Sequence, residues 1–172
     1  QNTAVGGTAL GDNTEGEYNS AFGYNALRKN TTADNNAALG YYALACNTTG
    51  VANTAVGFDA LKASTTSAYN SAFGSYALDA NTTGAKNVGI GFNAAGGNTT
   101  GSDNVAVGQN ALRCNTTAAN NTAVGTCALF ANTTGTENVA IGFMTMCNTT
   151  TADSNVAVGN YSMRAATTGN NN

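Results

Sequence analysis

An asparagine followed four residues later by a glycine recurs every 17 residues along this chain. The pairs are Asn2/Gly6, Asn19/Gly23, Asn36/Gly40, Asn53/Gly57, Asn70/Gly74, Asn87/Gly91, Asn104/Gly108, Asn121/Gly125, Asn138/Gly142 and Asn155/Gly159. Ten units therefore fill residues 2 to 171 without insertion or deletion, and Asn172 stands where an eleventh would open. A period this strict makes one unit one turn of a stacked architecture, in which each unit buries its apolar face against its neighbours. Residues 1–172 read as a single repeat array.

Numbered from its Asn, the unit is N-x-A-Φ-G-x-x-A-L-x-x-N-T-T-G-x-x, where Φ is apolar. Position 4 is Val5, Phe22, Leu39, Val56, Phe73, Ile90, Val107, Val124, Ile141 and Val158, mostly β-branched or aromatic, which is strand chemistry. Gly and Asn at fixed offsets mark corners. Seventeen residues are too few for a helix pair with its turns, but suit two short strands plus two corners. The expected fold is all-β: a parallel β-solenoid, or β-roll, of ten 17-residue coils rising roughly 48 Å at about 4.8 Å each. The Asn at position 1 (Asn2, Asn19, Asn36, Asn53, Asn70, Asn87, Asn104, Asn121, Asn138, Asn155) is expected to form an axial ladder of side-chain amides. We expect the large position-4 residue inside the coil. The Ala at position 3 and the Gly at position 5 then form an outer face of small residues, serving either a tight fold of one narrow coil or an intermolecular interface.

Composition narrows the function. Ala (32), Asn (27), Thr (27) and Gly (21) dominate the 172 residues, charged residues are 9%, and His, Pro and Trp are absent. Without His there is no imidazole base, no Ser-His or Cys-His nucleophile pair and no imidazole metal ligand. The nine acidic residues are scattered over several positions of the unit and form no repeated Asp ligand set, so neither a catalytic carboxylate pair nor an Asp-rich calcium repeat is indicated. We expect no enzyme activity, no cofactor and no metal. A net charge of −3 with six basic residues cannot supply a phosphate-neutralising patch, so no nucleic-acid partner is expected. No run of about 18 apolar residues indicates a membrane span. The chain opens at Gln1 and neither end carries an atypical capping unit, so the sequence reads as an excerpt of a longer array or as a module stacking end to end.

Asn-Thr-Thr at Asn30, Asn47, Asn81, Asn98, Asn115, Asn132 and the slipped Asn148 gives seven candidate N-glycosylation sequons on an expected outer corner. The alternative is that Asn and Thr are corner residues bonding the backbone. That alternative is favoured because Ser64 and Ala166 fill the same slot without being acceptors. Columns of Thr also invite an ice-binding reading, but the Thr residues are consecutive, so only one of each pair can face out. The cysteines Cys46, Cys114, Cys127 and Cys147 show no CxxC spacing and read as small apolar fillers. A Cys127–Cys147 bridge would require a bend.

The motif resembles the head repeats of trimeric autotransporter adhesins, most closely at Asn138-Val139-Ala140-Ile141-Gly142 and Asn155-Val156-Ala157-Val158-Gly159. It resembles still more the NTAVG…AL…NTTG arrays of bacterial and phage tail-fibre-like surface proteins, as in Asn53 to Gly57, Ala60-Leu61 and Asn81 to Gly84. The resemblance spans essentially the whole chain. It implies an extracellular or virion-surface fibre, often homotrimeric, used as a spacer or for adhesion; the 17-residue period is longer than that of typical adhesin heads. The expected function is a structural, non-enzymatic fibre shaft that partners itself as a homo-oligomer or filament. The alternative is an adhesin head binding glycan or host surface through the aromatics at positions 6 and 7.

Overall fold

The computed structural model describes residues 1–165 and 167–172; Ala166, one of the corner variants named above, lies outside them. Among the described residues there are ten strands and no helix. The strands β1 (Thr3–Val5), β2 (Ser20–Phe22), β3 (Ala37–Leu39), β4 (Thr54–Val56), β5 (Ser71–Phe73), β6 (Val88–Ile90), β7 (Val105–Val107), β8 (Thr122–Val124), β9 (Val139–Ile141) and β10 (Val156–Val158) each cover positions 2 to 4. They form one parallel sheet in sequence order, and each residue pairs with its equivalent 17 residues on, as Thr3 with Ser20. The chain is a β-solenoid with one coil per repeat, and among the described residues each coil holds one strand where the sequence suggests two.

Position 5 ends each strand. Its glycines have φ between 116° and 144°, a region closed to side-chain-bearing residues. From Gly6 to Gly142, a Cβ there would meet the next coil's glycine carbonyl. Positions 6 to 11 then wind through three successive turns, as in coil 2, where the N–H groups of Ala26, Arg28 and Asn30 donate to the carbonyls of Gly23, Asn25 and Leu27. Position 9 is left-handed throughout, φ 48–53°. That costs a Leu about 1–2 kcal/mol, but it turns the side chain inward, and full burial contributes about 1.5–3 kcal/mol. Burial wins: Leu27, Leu44, Leu61, Leu78, Leu112 and Leu129 are wholly buried.

The strand faces are the reverse of the sequence expectation. Position 3 is inside and position 4 outside: Ala21, Ala55 and Ala72 are fully buried, whereas Phe22, Leu39 and Ile90 are exposed. Two constraints decide it. The Asn at position 1 points inward, and strand alternation carries position 3 with it. The opposite wall already supplies Leu at position 9, which leaves room for a methyl group only. At Gly89, a Cβ would sit 3.1 Å from the Leu78 Cγ. The interior has an apolar half, built from the Ala at positions 3 and 8 with Leu at 9, and a polar half of asparagines. Ala and Gly at 3 and 5 therefore serve a tight fold of one narrow coil.

Backbone hydrogen bonds between coils run in both axial directions. N–H groups at positions 2, 9, 11 and 13 donate to the following coil (Thr3 to Asn19, Leu10 to Ala26, Asp12 to Arg28, Thr14 to Thr31). Those at positions 5, 7 and 17 donate to the preceding one (Gly23 to Val5, Asn25 to Gly7, Asn35 to Glu17).

Candidate functional site

Two asparagine columns run through the polar half of the coil. At position 1, each backbone N–H donates to the Oδ1 of the asparagine one coil earlier, from Asn19 on Asn2 at 2.8 Å to Asn172 on Asn155 at 3.1 Å. Its own Nδ2 reaches across the coil to the carbonyl at position 15, as Asn87 does to Gly101 at 2.8 Å. One side chain thus joins neighbouring coils and closes its own. The carbonyl at position 15 also accepts from position 12, so both its lone pairs are used: Gly101 takes Asn87 at 2.8 Å and Asn98 at 2.9 Å.

That second column holds six of the seven candidate glycosylation residues. Asn30, Asn47, Asn81, Asn98, Asn115 and Asn132 are fully buried. Each Nδ2 donates to the carbonyl three residues on, and those of Asn30, Asn47, Asn98, Asn115 and Asn132 also bond the preceding coil's Asn Oδ1. In the folded coil these nitrogens are occupied and have no room for a glycan; the expected outer corner is an inner one. Asn148 differs: one position early, it is exposed, while Thr149 takes the buried slot.

The second ladder is interrupted where the sequence departs from Asn. Asn47 Oδ1 and Asn132 Oδ1 are buried without a partner, and the next coil carries Ser64 or Thr149 in place of a donor amide. Ser64 instead bonds Ser67, Oγ to Oγ at 2.5 Å. Replacing both, Ser64→Asn with Ser67→Gly, restores the motif of the other coils. We expect it to raise unfolding stability by about 1–3 kcal/mol, read from the denaturant midpoint; no gain would show that Asn47 Oδ1 carries no penalty.

Of each Thr pair, position 13 sends its hydroxyl to the next coil, as Thr82 Oγ1 donates to Thr99 O at 3.0 Å. Position 14 is exposed in a single column from Thr32 to Thr168. The four cysteines are free thiols, and Cys127 and Cys147 line one small cavity with Phe130, Met144 and Asn148. Among the described residues no group of three or more His, Cys, Asp or Glu is placed to hold a metal ion, and no helix is long and apolar enough to cross a membrane.

The outward side of the sheet is the larger surface feature. Positions 2 and 4 form two parallel columns, and the position-4 residues reach 66% exposure at Val158 and 53% at Leu39. None of the twenty residues in these columns is charged; all Asp, Glu, Lys and Arg fall at positions 7, 10, 11, 14, 16 and 17. The aromatics at positions 6 and 7 run beside them, outside the coil. Tyr24 stacks on Tyr41 and Tyr41 on Phe58, both at 5.4 Å, and Phe58, Tyr76 and Phe92 continue edge to face. Partial desolvation beside the neighbouring rings, and then the phenols of Tyr42 and Tyr24, push the exposed Tyr41 hydroxyl above its ordinary pKa. Position 7 also holds Asp59, which pairs with Lys62 at 2.9 Å.

No family model matches this chain, and neither a curated protein nor a solved structure matches it.

Proposed function

We propose that this chain is a structural, non-enzymatic segment of an extracellular fibre, its coils forming the shaft and copies of the chain packing side to side through the charge-free face of the sheet. The observation that carries this reading is that face: one apolar knob per coil, uncharged over ten coils, roughly 48 Å long. Exposed apolar surface on this scale marks an association site. The partner that matches knobs spaced by about 4.8 Å is another array of the same spacing, so a second copy is the occupant. Successive strand pairings repeat one register from β1 to β10, so further coils add along the axis by the same bonds. The extracellular placement is supported by the motif resemblance alone.

Sedimentation velocity over a concentration series, with negative-stain imaging, tests the proposal. The wild-type chain should form rods or fibres wider than one coil. Leu39→Lys with Ile90→Lys, both outside the core, should abolish side-to-side packing and leave rods one coil wide with unchanged circular dichroism. A wild-type chain that stays single at every concentration would sink the proposal.

A further inference from the structure

Coil 6, residues 87 to 103, departs from the repeat in one consistent direction. It carries Gly89 where other strands have Ala, Ala95 where most have Leu, and Gly96-Gly97 at positions 10 and 11, where the flanking coils have Asp79-Ala80 and Arg113-Cys114. Gly89 and Ala95 lie in the coil interior, whereas on the flank of the solenoid Gly96 and Gly97 leave a cavity of about 550 Å³ between these neighbours. That size falls in the usual range for small-ligand sites, roughly 300–1,000 Å³.

Its lining is chemically mixed. Tyr76 and Phe92 supply two rings, edge to face at 6.0 Å and both part-exposed. Two acceptor oxygens converge on the floor: Asn93 Oδ1 fills the space that a Cβ on Gly96 would need, and Asp79 Oδ1 would lie 3.2 Å from that Cβ. Gly96 is thus the residue that lets the Asn93 amide fold into the notch. Burial pushes the Asp79 carboxyl above its ordinary pKa, against the pull of the backbone N–H groups of Ala80 and Asp79. Arg113 stands at the rim, its Cζ 5.8 Å from the Phe130 ring.

The ligand class follows by elimination. A purely apolar molecule would desolvate Asp79 and Asn93 with nothing in return. Asp79 and Arg113 put opposite charges on one lining, so neither an anion nor an organic cation is matched by it, and a hard cation would find one carboxylate where six to eight oxygens are usual for calcium. A molecule with an apolar face and a rim of hydroxyls satisfies rings and acceptors together. We infer that this notch binds one or two rings of a neutral saccharide, with Asp79 and Asn93 accepting hydrogen bonds from ring hydroxyls and Tyr76 or Phe92 covering a C–H face. Arg113 donates from the rim. The site is complete within one chain and does not depend on side-to-side packing.

Saturation-transfer NMR on the full chain provides the test, using methyl β-glucoside, methyl β-galactoside, methyl α-mannoside and cellobiose as probes and glycerol as control. Transfer to at least one saccharide but not to glycerol is expected, with amide shifts confined to the neighbourhood of Asn93, Gly96 and Gly97. Tyr76→Ala and Asp79→Asn should each weaken binding about tenfold or more, while Phe143→Ala, in the same aromatic column three coils away, should leave it unchanged. No transfer to any of the four saccharides overturns the inference. So does equal weakening by Phe143→Ala, which would mean that any exposed ring of the column suffices.

Discussion

Gly74→Ala should split the array. A Cβ at Gly74 would lie 2.5 Å from the carbonyl oxygen of Gly91 in the next coil, backbone against backbone, at a φ of 138° that Ala does not adopt. Neither atom can swing aside, so coils 5 and 6 must separate locally; we expect a loss of about 4 kcal/mol or more. In a stack whose units touch only their neighbours, one weakened junction uncouples the two halves, and a single denaturant transition should become two. Gly159→Ala supplies the control. Its φ is 116°, but a Cβ there meets nothing within 4 Å, so only the backbone cost of about 1–3 kcal/mol applies. Equal losses for the two variants would place the whole effect in the dihedral and refute the role of coil contact.

Asn87 should be the most sensitive side chain. Its Oδ1 accepts the N–H of Asn104 at 3.0 Å and its Nδ2 serves the Gly101 carbonyl at 2.8 Å, all out of water. Asn87→Ala strands the buried Asn104 N–H, costing about 1–3 kcal/mol, and leaves the Gly101 carbonyl with Asn98 as its one remaining donor. Asn87→Asp keeps the shape and makes the cost depend on pH. A buried carboxylate facing the Gly101 carbonyl has its folded-state pKa raised above the unfolded value of about 3.9. The variant is therefore least damaged below that pH, where a neutral acid can donate to Gly101, and loses stability as pH rises through the folded value. Chemical denaturation of both variants at acid and neutral pH measures this. An Asn87→Asp variant as stable at neutral pH as in acid would show that water reaches the ladder.

The period and a strand carrying the position-4 residue were legible in the sequence, because exact repetition leaves one coil per unit as the simplest closure; the positive φ that demands Gly at position 5 and the replacement of a second strand by turns were not. The inside of the coil was harder to read. Size suggested that Val5, Phe22 and Leu39 formed the core, but the interior is set by Asn, whose amides must be satisfied in every coil; alternation from Asn19 or Asn36 is the signal that places Ala inside. The Asn-Thr-Thr corner misled for a related reason, since Asn and Thr suit exposed turns as well as buried ladders. The described departures at position 12, Ser64 and Thr149, are uncharged and compact, as a buried slot requires. The notch at coil 6 was visible as Gly96-Gly97 but had no meaning until the stack placed Asp79 on one side and Arg113 on the other.

The two-way traffic of hydrogen bonds between coils has an electrical consequence. In an α-helix every peptide dipole points the same way, and the sum leaves about half a charge at each end. Here the upward donors at positions 2, 9, 11 and 13 are opposed by downward donors at 5, 7 and 17 in each coil. The axial dipoles largely cancel within 17 residues, as they do across a sheet. A column of such coils develops no macrodipole as it lengthens, so neither end becomes an anion or cation trap, and the tenth coil sits in the same field as the second.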